Sequence, residues 1–311
     1  MKDLKVVFMG TPTFSVPILE SLINECNVIL VVSQPDKEKD RKGTLLSTPI
    51  KQIALSHNIE VYQPTKIKEE YQKIIDANPD IIITCAYGQI IPESLINYPR
   101  LGCINVHGSL LPRLRGGAPI HHAIINGDTE TGITIMYMDK HMDSGDIIAK
   151  RSLPIGPNDT LDVVYEKMSK LGATLLIETL PSIVAGTNDR IKQDEKYVTF
   201  GYNITKEEEK INFNNPSIKV HNLIRGLSSI PGAYCFLEEK RLKIYQSELT
   251  NTKSTTSPGT IEKIDKTGIY ISTNDNLIKI IDIKLEGKKR CLVKDFVNGI
   301  NIKDYLGKVL K

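Results

Sequence analysis

The sequence predicts two domains: an α/β domain on a Rossmann-like, mostly parallel sheet, then a smaller C-terminal β-barrel of the oligonucleotide-binding (OB-like) type. Three observations carry this. Over roughly the first 180 residues short apolar runs alternate with amphipathic segments, the order of a mainly parallel sheet with crossover helices. Beyond residue 209 the pattern changes to closely spaced, short β-like runs separated by turn residues. Between the two, from Gly186 to Glu209, the chain turns polar and irregular, as linkers do. The expected division is a catalytic domain over 1–188, a linker over 189–206 and a barrel over 207–311, and with 311 residues and 40% hydrophobic content each domain can bury a core.

Lys5-Val6-Val7-Phe8-Met9 reads as the first strand, ending at Gly10-Thr11-Pro12, with an amphipathic helix from about Phe14 to Asn24 and a second strand over Val28–Val32. The first turn holds one glycine where a dinucleotide fingerprint needs three, so no nicotinamide cofactor is expected. The loop Gln34–Pro49 follows. Over its residues 37–42, Lys37, Lys39, Arg41 and Lys42 face only Glu38 and Asp40, a pattern that suits a phosphate-contacting loop, although a solvated charge run is the commoner reading of such a stretch.

A helix over Pro49–Ser56, a strand at Val61-Tyr62, a helix over Lys66–Ala77 and a strand over Ile81–Ala86 continue the alternation. The Ile81 strand is apolar on both faces and therefore central. It runs out into Tyr87-Gly88-Gln89-Ile90-Ile91-Pro92, a loop at the carboxyl edge and a candidate pocket wall. A strand over Cys103–His107, a helix over Pro119–Asn126, a strand over Ile133–Met138 and a long helix over Thr160–Pro181 complete the first domain. In the second, a helix over Ser217–Gly226 precedes strands at Ala233–Leu237, Leu242–Glu248, Thr260–Ile264, Gly268–Thr273, Leu277–Leu285 and Lys288–Val293.

The stretch that carries chemistry is Cys103–Pro119. Successive strand residues point to opposite faces, so Asn105 and His107 share one side and Ile104 and Val106 the other. An amide and an imidazole together at a strand end can stabilise an oxyanion and move a proton. A carboxylate to orient the imidazole is available in Asp139-Lys140-His141-Met142-Asp143-Ser144-Gly145-Asp146. Spacing does not choose among Asp139, Asp143 and Asp146, and turn aspartates commonly do no more than bond nearby backbone.

Composition narrows the class. The five cysteines, Cys26, Cys85, Cys103, Cys235 and Cys291, are scattered and odd in number, which argues against a disulfide framework or zinc site and for reduced thiols in the cytoplasm. No apolar run is long enough for a membrane span, so no membrane partner is expected. His121 and His122 are adjacent on a helix and point apart, so no metal pair forms there, and no metal is expected elsewhere. Gly116 and Gly117 suit either a phosphate contact or, the commoner use, a turn of the chain before Pro119. Residues 206–311 hold 19 Lys+Arg against 13 Asp+Glu while residues 1–205 hold 21 against 24, so the C-terminal third is the basic part. A polyanionic partner, or simply a solubilising surface, accounts for that asymmetry.

Asn105-Val106-His107-Gly108-Ser109-Leu110-Leu111-Pro112-Arg113, then Arg115-Gly116-Gly117-Ala118-Pro119-Ile120 and Met142-Asp143-Ser144-Gly145-Asp146-Ile147, resemble the signature of the 10-formyltetrahydrofolate-dependent formyltransferases. The match begins at Phe8-Met9-Gly10-Thr11-Pro12, includes Gln34-Pro35-Asp36, and extends to Ile224-Arg225-Gly226 and Pro231-Gly232-Ala233-Tyr234. Ser228-Ser229-Ile230 lacks the tryptophan common in the family there. The resemblance implies that Asn105, His107 and Asp143 are the catalytic trio, and that Ser109, Leu110, Leu111 and Pro112, with Gln89 and Ile91, contact the folate. Arg41, with Lys42 beside it, is implied to enter the acceptor arm of a tRNA.

The implied reaction is formyl transfer from 10-formyltetrahydrofolate, a co-substrate, to the methionine amine of initiator Met-tRNA, by a cytoplasmic monomer that needs no metal. A formyltransferase acting on an amino-sugar nucleotide is the nearer alternative, since such enzymes can carry a related C-terminal domain. One acting on glycinamide ribonucleotide usually lacks it. A formyltetrahydrofolate hydrolase and a non-catalytic RNA-binding protein are the readings from other classes.

Overall fold

The computed structural model describes residues 1–38, 45–299 and 301–311. Its first strand, β1 (Lys5–Gly10), is buried along nearly its whole length, and α1 (Val16–Glu25) turns Ile18, Leu19 and Leu22 inward at helical spacing. Next come β2 (Asn27–Val32), the two-residue strands β3 (Lys37–Glu38) and β4 (Leu45–Leu46), and α2 (Pro49–Ser56). Thr48 caps α2 by accepting from Lys51 N, and Pro49 occupies the first turn, where its missing N–H costs nothing. The chain continues through β5 (Val61–Tyr62), α3 (Gln72–Asp76), β6 (Ile81–Cys85), α4 (Glu93–Ile96), β7 (Cys103–His107), α5 (Pro119–Asn126), β8 (Glu130–Tyr137), β9 (Ile147–Pro154) and α6 (Leu161–Ala185).

These strands make one seven-stranded sheet in the order β5-β2-β1-β6-β7-β8-β9. The pairs from β5 to β7 are parallel, and β8 runs antiparallel to β7. β6 lies centrally with every residue buried. The chain winds outward from β1 to β2 and β5, then returns to β6 and β7, so the direction of winding reverses beside β1 and β6. Ligands bind beyond the carboxyl ends of strands at such a point.

The C-terminal elements are α7 (Ser217–Leu227), β10 (Ala233–Leu237), β11 (Lys240–Lys253), β12 (Ile261–Asp265), β13 (Gly268–Ser272), β14 (Asn276–Leu285), β15 (Cys291–Leu292) and α8 (Val293–Val297). The sheet order is β10-β11-β14-β13-β12, with β15 on β14, and every pair is antiparallel. The last residues join its two edges. Lys311 exchanges backbone hydrogen bonds with Phe236 in β10, while Leu310 N donates to Gly259 O and Ile261 N to Lys308 O beside β12. That seam closes the sheet into a barrel and leaves no long free edge there. Inside lie Ile244, Ile271, Ile278, Ile280 and Ile283, with Val220, Ile224 and Leu227 of α7 packed in the same core.

Contacts divide the chain into two units, Met1–Pro119 with Thr131–Leu153 and Tyr165–Tyr202, and Ile120–Glu130 with Pro154–Val164 and Asn203–Lys311. In the second, Arg225 of α7 donates from Nη1 to Gly156 O and Asp159 O, which ties the 154–164 segment to the helix.

Several elements depart from expectation. The helix expected over Lys66–Ala77 is reduced to one turn at Lys66–Glu70, where Glu69 N and Glu70 N donate to Lys66 O, followed by the short α3; Glu70 Oε1 accepts from Lys66 N and Gln89 Oε1 from Ile67 N at the start of that turn. The strand expected over Lys288–Val293 is only β15, after which Val293 enters α8 and buries its side chain in the barrel core. β9, with alternating burial, was not foreseen. α6 continues through Pro181 to Ala185, held by the buried Leu180 and Ile183.

Candidate active site

β7 presents the two polar residues as its alternation requires: Ile104 and Val106 are buried against the sheet's other face, where Val106 meets Gly172 of α6. Thr84, the β6 neighbour of Asn105, donates its hydroxyl to Asn105 Oδ1 at 2.9 Å. With the amide oxygen so held, Nδ2 points to Asp143 Oδ1 at 3.4 Å. His107 is 5% exposed. Its Nε2 lies 3.0 Å from the Leu114 carbonyl, which can only accept, so Nε2 carries a hydrogen in this arrangement. Nδ1 faces Asp143 Oδ1 at 3.7 Å. The trio therefore converges: an amide donor and an imidazole on one strand, with one carboxylate touching both.

Asp143 is itself fixed. Its Oδ2 accepts the Gly116 N–H at 2.8 Å, and Gln193 Nε2 donates to the carbonyls of Asp143 and Gly145. Its backbone adopts φ +50°, a left-handed conformation that aspartate tolerates better than most residues. The rival carboxylates are engaged elsewhere: Asp139 accepts from His141 N and Ser144 Oγ, and Asp146 pairs with Arg190.

The expected folate residues fall into two groups. Ser109 is buried and donates to Arg113 O at 2.6 Å, and Leu111 is buried with Met136 and Ile147 while its carbonyl accepts from Lys150. Leu110 and Pro112 are half-buried beside them. On the loop after β6, Gln89 brackets its surroundings through Ile67 N, Gln34 and Pro64 O, and Ile91 is buried in the core with Tyr87 and Leu95. Ile90 between them is 72% exposed. Arg41 and Lys42 lie outside the described residues. At the base of their loop, Asp36 accepts from Lys51 Nζ at 2.6 Å and from Gln63 Nε2, contacts that hold its carboxyl below the usual range.

Sequence reading missed the residues that position the trio. Thr84 orients Asn105, and Gln193, Glu195 and Thr199 bracket the turn after β7. Leu114 N donates to Thr199 Oγ1, while Arg115 donates to Gln193 through Nε and to Glu195 through Nη2. Arg115 also forms a parallel bridge with Phe200. The sequence shows Arg115 only as an arginine between Leu114 and Gly116-Gly117; its burial is set by the fold. Gly116 does more than turn the chain: at φ +119° a Cβ would come within 2.8 Å of Gly201 O.

The formyl transferase family model matches residues 4–180, and the model of the formyl transferase C-terminal domain matches 203–301. A methionyl-tRNA formyltransferase of Staphylococcus aureus strain MW2 is 49% identical over 298 residues, covering 95% of this chain and 96% of that protein. That of strain JH1 is 48% identical over the same extent. This chain belongs to the methionyl-tRNA formyltransferase family. Among solved structures, this formyltransferase is similar to WlaRD, a sugar 3N-formyl transferase, with TM-score 0.65 and 21% identity over 93% of this chain and all of that one. An N-formyltransferase from Helicobacter canadensis, in complex with folinic acid and dTDP-3-aminofucose, gives TM-score 0.64 and 22% identity over 90% and 98%. Likenesses at that identity establish the shared fold. Among the described residues no helix of this formyltransferase is long and apolar enough to cross a membrane.

Proposed function

We propose that this protein transfers the formyl group of 10-formyltetrahydrofolate to the free amino group of methionine on initiator Met-tRNA, giving formylmethionyl-tRNA for translation initiation. The observation that carries this reading is identity of 48–49% with methionyl-tRNA formyltransferases along nearly the whole of both chains. Sugar formyltransferases share the fold at 21–22% identity.

The residues present fit a folate. Ile90 and Met142, on the loops after β6 and β8 that flank β7, are large apolar side chains left exposed. Beside the polar groups at the end of β7 they suit a flat ring system with a hydrogen-bonding edge. Ser109–Pro112 and the backbone of Gln89 and Ile91 are assigned to holding it, since the Ile91 side chain is buried. The bound co-substrate supplies the formyl group. Asn105 Nδ2 and a protonated His107 then meet the negative charge that grows on the formyl oxygen as the methionine amine attacks. Asp143 orients the imidazole, and the proton lost by the amine reaches the departing folate nitrogen through His107 or a water held by Asp143.

Arg41 and Lys42 are assigned to the acceptor arm of the tRNA. The domain roles follow as catalysis over 1–188, a linker over 189–206 and tRNA binding over 207–311, in a cytoplasmic monomer. The test is an assay of formyl transfer to charged initiator Met-tRNA beside elongator Met-tRNA, an amino-sugar nucleotide and water. Transfer to initiator Met-tRNA above all others is expected. Transfer to the sugar nucleotide or release of formate, with none to tRNA, overturns the reading.

A further inference from the structure

Along residues 189–200 every residue is exposed except Gln193 and Val198, which are half-buried. The glutamine turns inward from an otherwise solvated stretch onto three partners. Its Oε1 accepts from Arg115 Nε at 3.0 Å, and its Nε2 donates to Asp143 O at 2.8 Å and to Gly145 O at 2.9 Å. A guanidinium can only donate and a carbonyl can only accept, so these contacts fix which end of the amide faces which loop. A carboxylate of the same length has no donor for the two carbonyls, and an ammonium has no acceptor for the arginine.

Arg115 is the anchored end of this arrangement. It is 5% exposed, its N–H donates to Thr199 O, its carbonyl accepts from Gly201 N, and its guanidinium pairs with Glu195 at 2.8 Å. The next residue, Gly116, donates its N–H to Asp143 Oδ2 at 2.8 Å. The Asp143 turn is therefore gripped twice from one place, at its side chain by Gly116 N and at its backbone by the amide that Arg115 holds. The other carboxylate oxygen, Oδ1, reaches Asn105 Nδ2 at 3.4 Å and His107 Nδ1 at 3.7 Å. Both separations lie at the outer limit of a useful contact, so a small displacement of the turn decides whether they hold.

We infer that Gln193 is a positioning residue of the formyl-transfer site: its side-chain NH2 holds the left-handed Asp143 turn at the distance from which one carboxylate oxygen serves both His107 and Asn105. The segment assigned as a linker thus supplies a working part of the catalytic domain. The inference rests on the proposed catalytic trio and adds to it the residue that sets the place of its third member. Because Gln193 acts through Asp143, its loss belongs to the chemical step and not to the binding of either substrate.

Two substitutions separate positioning from support of the fold. Gln193→Met keeps the length of the side chain and removes the NH2 without adding charge. Gln193→Glu keeps the oxygen that Arg115 holds and loses the donor. For each, kcat and the KM for folate and Met-tRNA are measured with the melting temperature, alone and combined with Asp143→Asn. Both variants should lose about ten- to a hundredfold in kcat at unchanged KM, the scale of a misplaced catalytic group. Added to Asp143→Asn, neither should cost more than Asp143→Asn alone, since residues that act as one unit are not additive, whereas a merely structural contribution multiplies. Should Gln193→Met not fold, Gln193→Glu, which retains the contact to Arg115, decides alone. Near-normal kcat in Gln193→Glu, or losses that multiply with that of Asp143→Asn, overturns the inference and spares the trio. Near-normal kcat in Asp143→Asn overturns the trio and the inference with it. A wild type that formylates no Met-tRNA overturns the proposed function and the inference together.

Discussion

Thr84 and His107 make contrasting predictions at the level of single residues. His107→Ala removes the group assigned to the proton and the oxyanion, so turnover should fall by about 10²–10⁴. Thr84→Val leaves the trio intact but frees the Asn105 amide to rotate, and since one hydrogen bond is worth about 1 kcal/mol, turnover should drop roughly tenfold at most. Steady-state formylation of the two variants side by side checks the ranking, and equal losses would sink it. His121 on α5 bears on stability instead. Burial, then the like charge of His122, pushes its imidazole down from 6.5 to about 4. The unfolded chain therefore binds more protons in that interval, so this contribution is complete above pH 6.5 and is lost as pH falls towards 4. His121→Gln should flatten the stability profile there by on the order of 1 kcal/mol, measured by urea unfolding at pH 7 and pH 4.5. Strand alternation makes the pairing of Asn105 with His107 legible in the sequence. The choice of Asp143 is not, because Asp139 and Asp146 stand equally near in the chain and differ only in the partners that folding brings them.

At the scale of elements, the β8–β9 turn holds Asp143 in place and has no room to vary. A Cβ on Gly145 would lie 1.9 Å from Tyr137 O, so Gly145→Ala must push the turn away from β8. A loss of about 1–3 kcal/mol of stability is expected, together with lower turnover as Asp143 leaves His107; denaturant melts and kinetics of the same preparation check it. The loop after β2 carries the element assigned to the tRNA. Arg41→Ala should weaken tRNA use and reduce its salt dependence while folate affinity holds, which a salt series with both substrates reads directly. Elements bounded by clear turn or proline signals were readable: α2, α5, β5, β7 and β10 match their expected limits. The helix at Lys66–Tyr71 was misread because its polar and apolar spacing is helical, whereas the chain makes only one turn there, with Ile67 N held by Gln89, twenty-two residues away.

At the scale of the whole molecule, the two expected fold types are both present, a mostly parallel sheet and a closed antiparallel barrel. The barrel depends on its last residues, which bond to both β10 and the start of β12. Deleting residues 308–311 exposes two edges and should lower the melting temperature while weakening tRNA affinity more than folate affinity, as seen by thermal melts and binding assays. The alternation of apolar runs, the β7 motif and the basic C-terminal third were all written in local order and composition, because periodicity and charge are properties of neighbouring residues. The placement of residues 191–201 was not. Its polar, irregular sequence reads as a connection, yet Gln193, Glu195 and Thr199 brace Arg115, Leu114 and the Asp143 turn. Those contacts join residues 48 to 85 positions apart, and only folding sets which side chains meet across such separations. The sequence thus determined the two folds and the amide and imidazole of the site; the tertiary structure decided which carboxylate joins them and what holds it there.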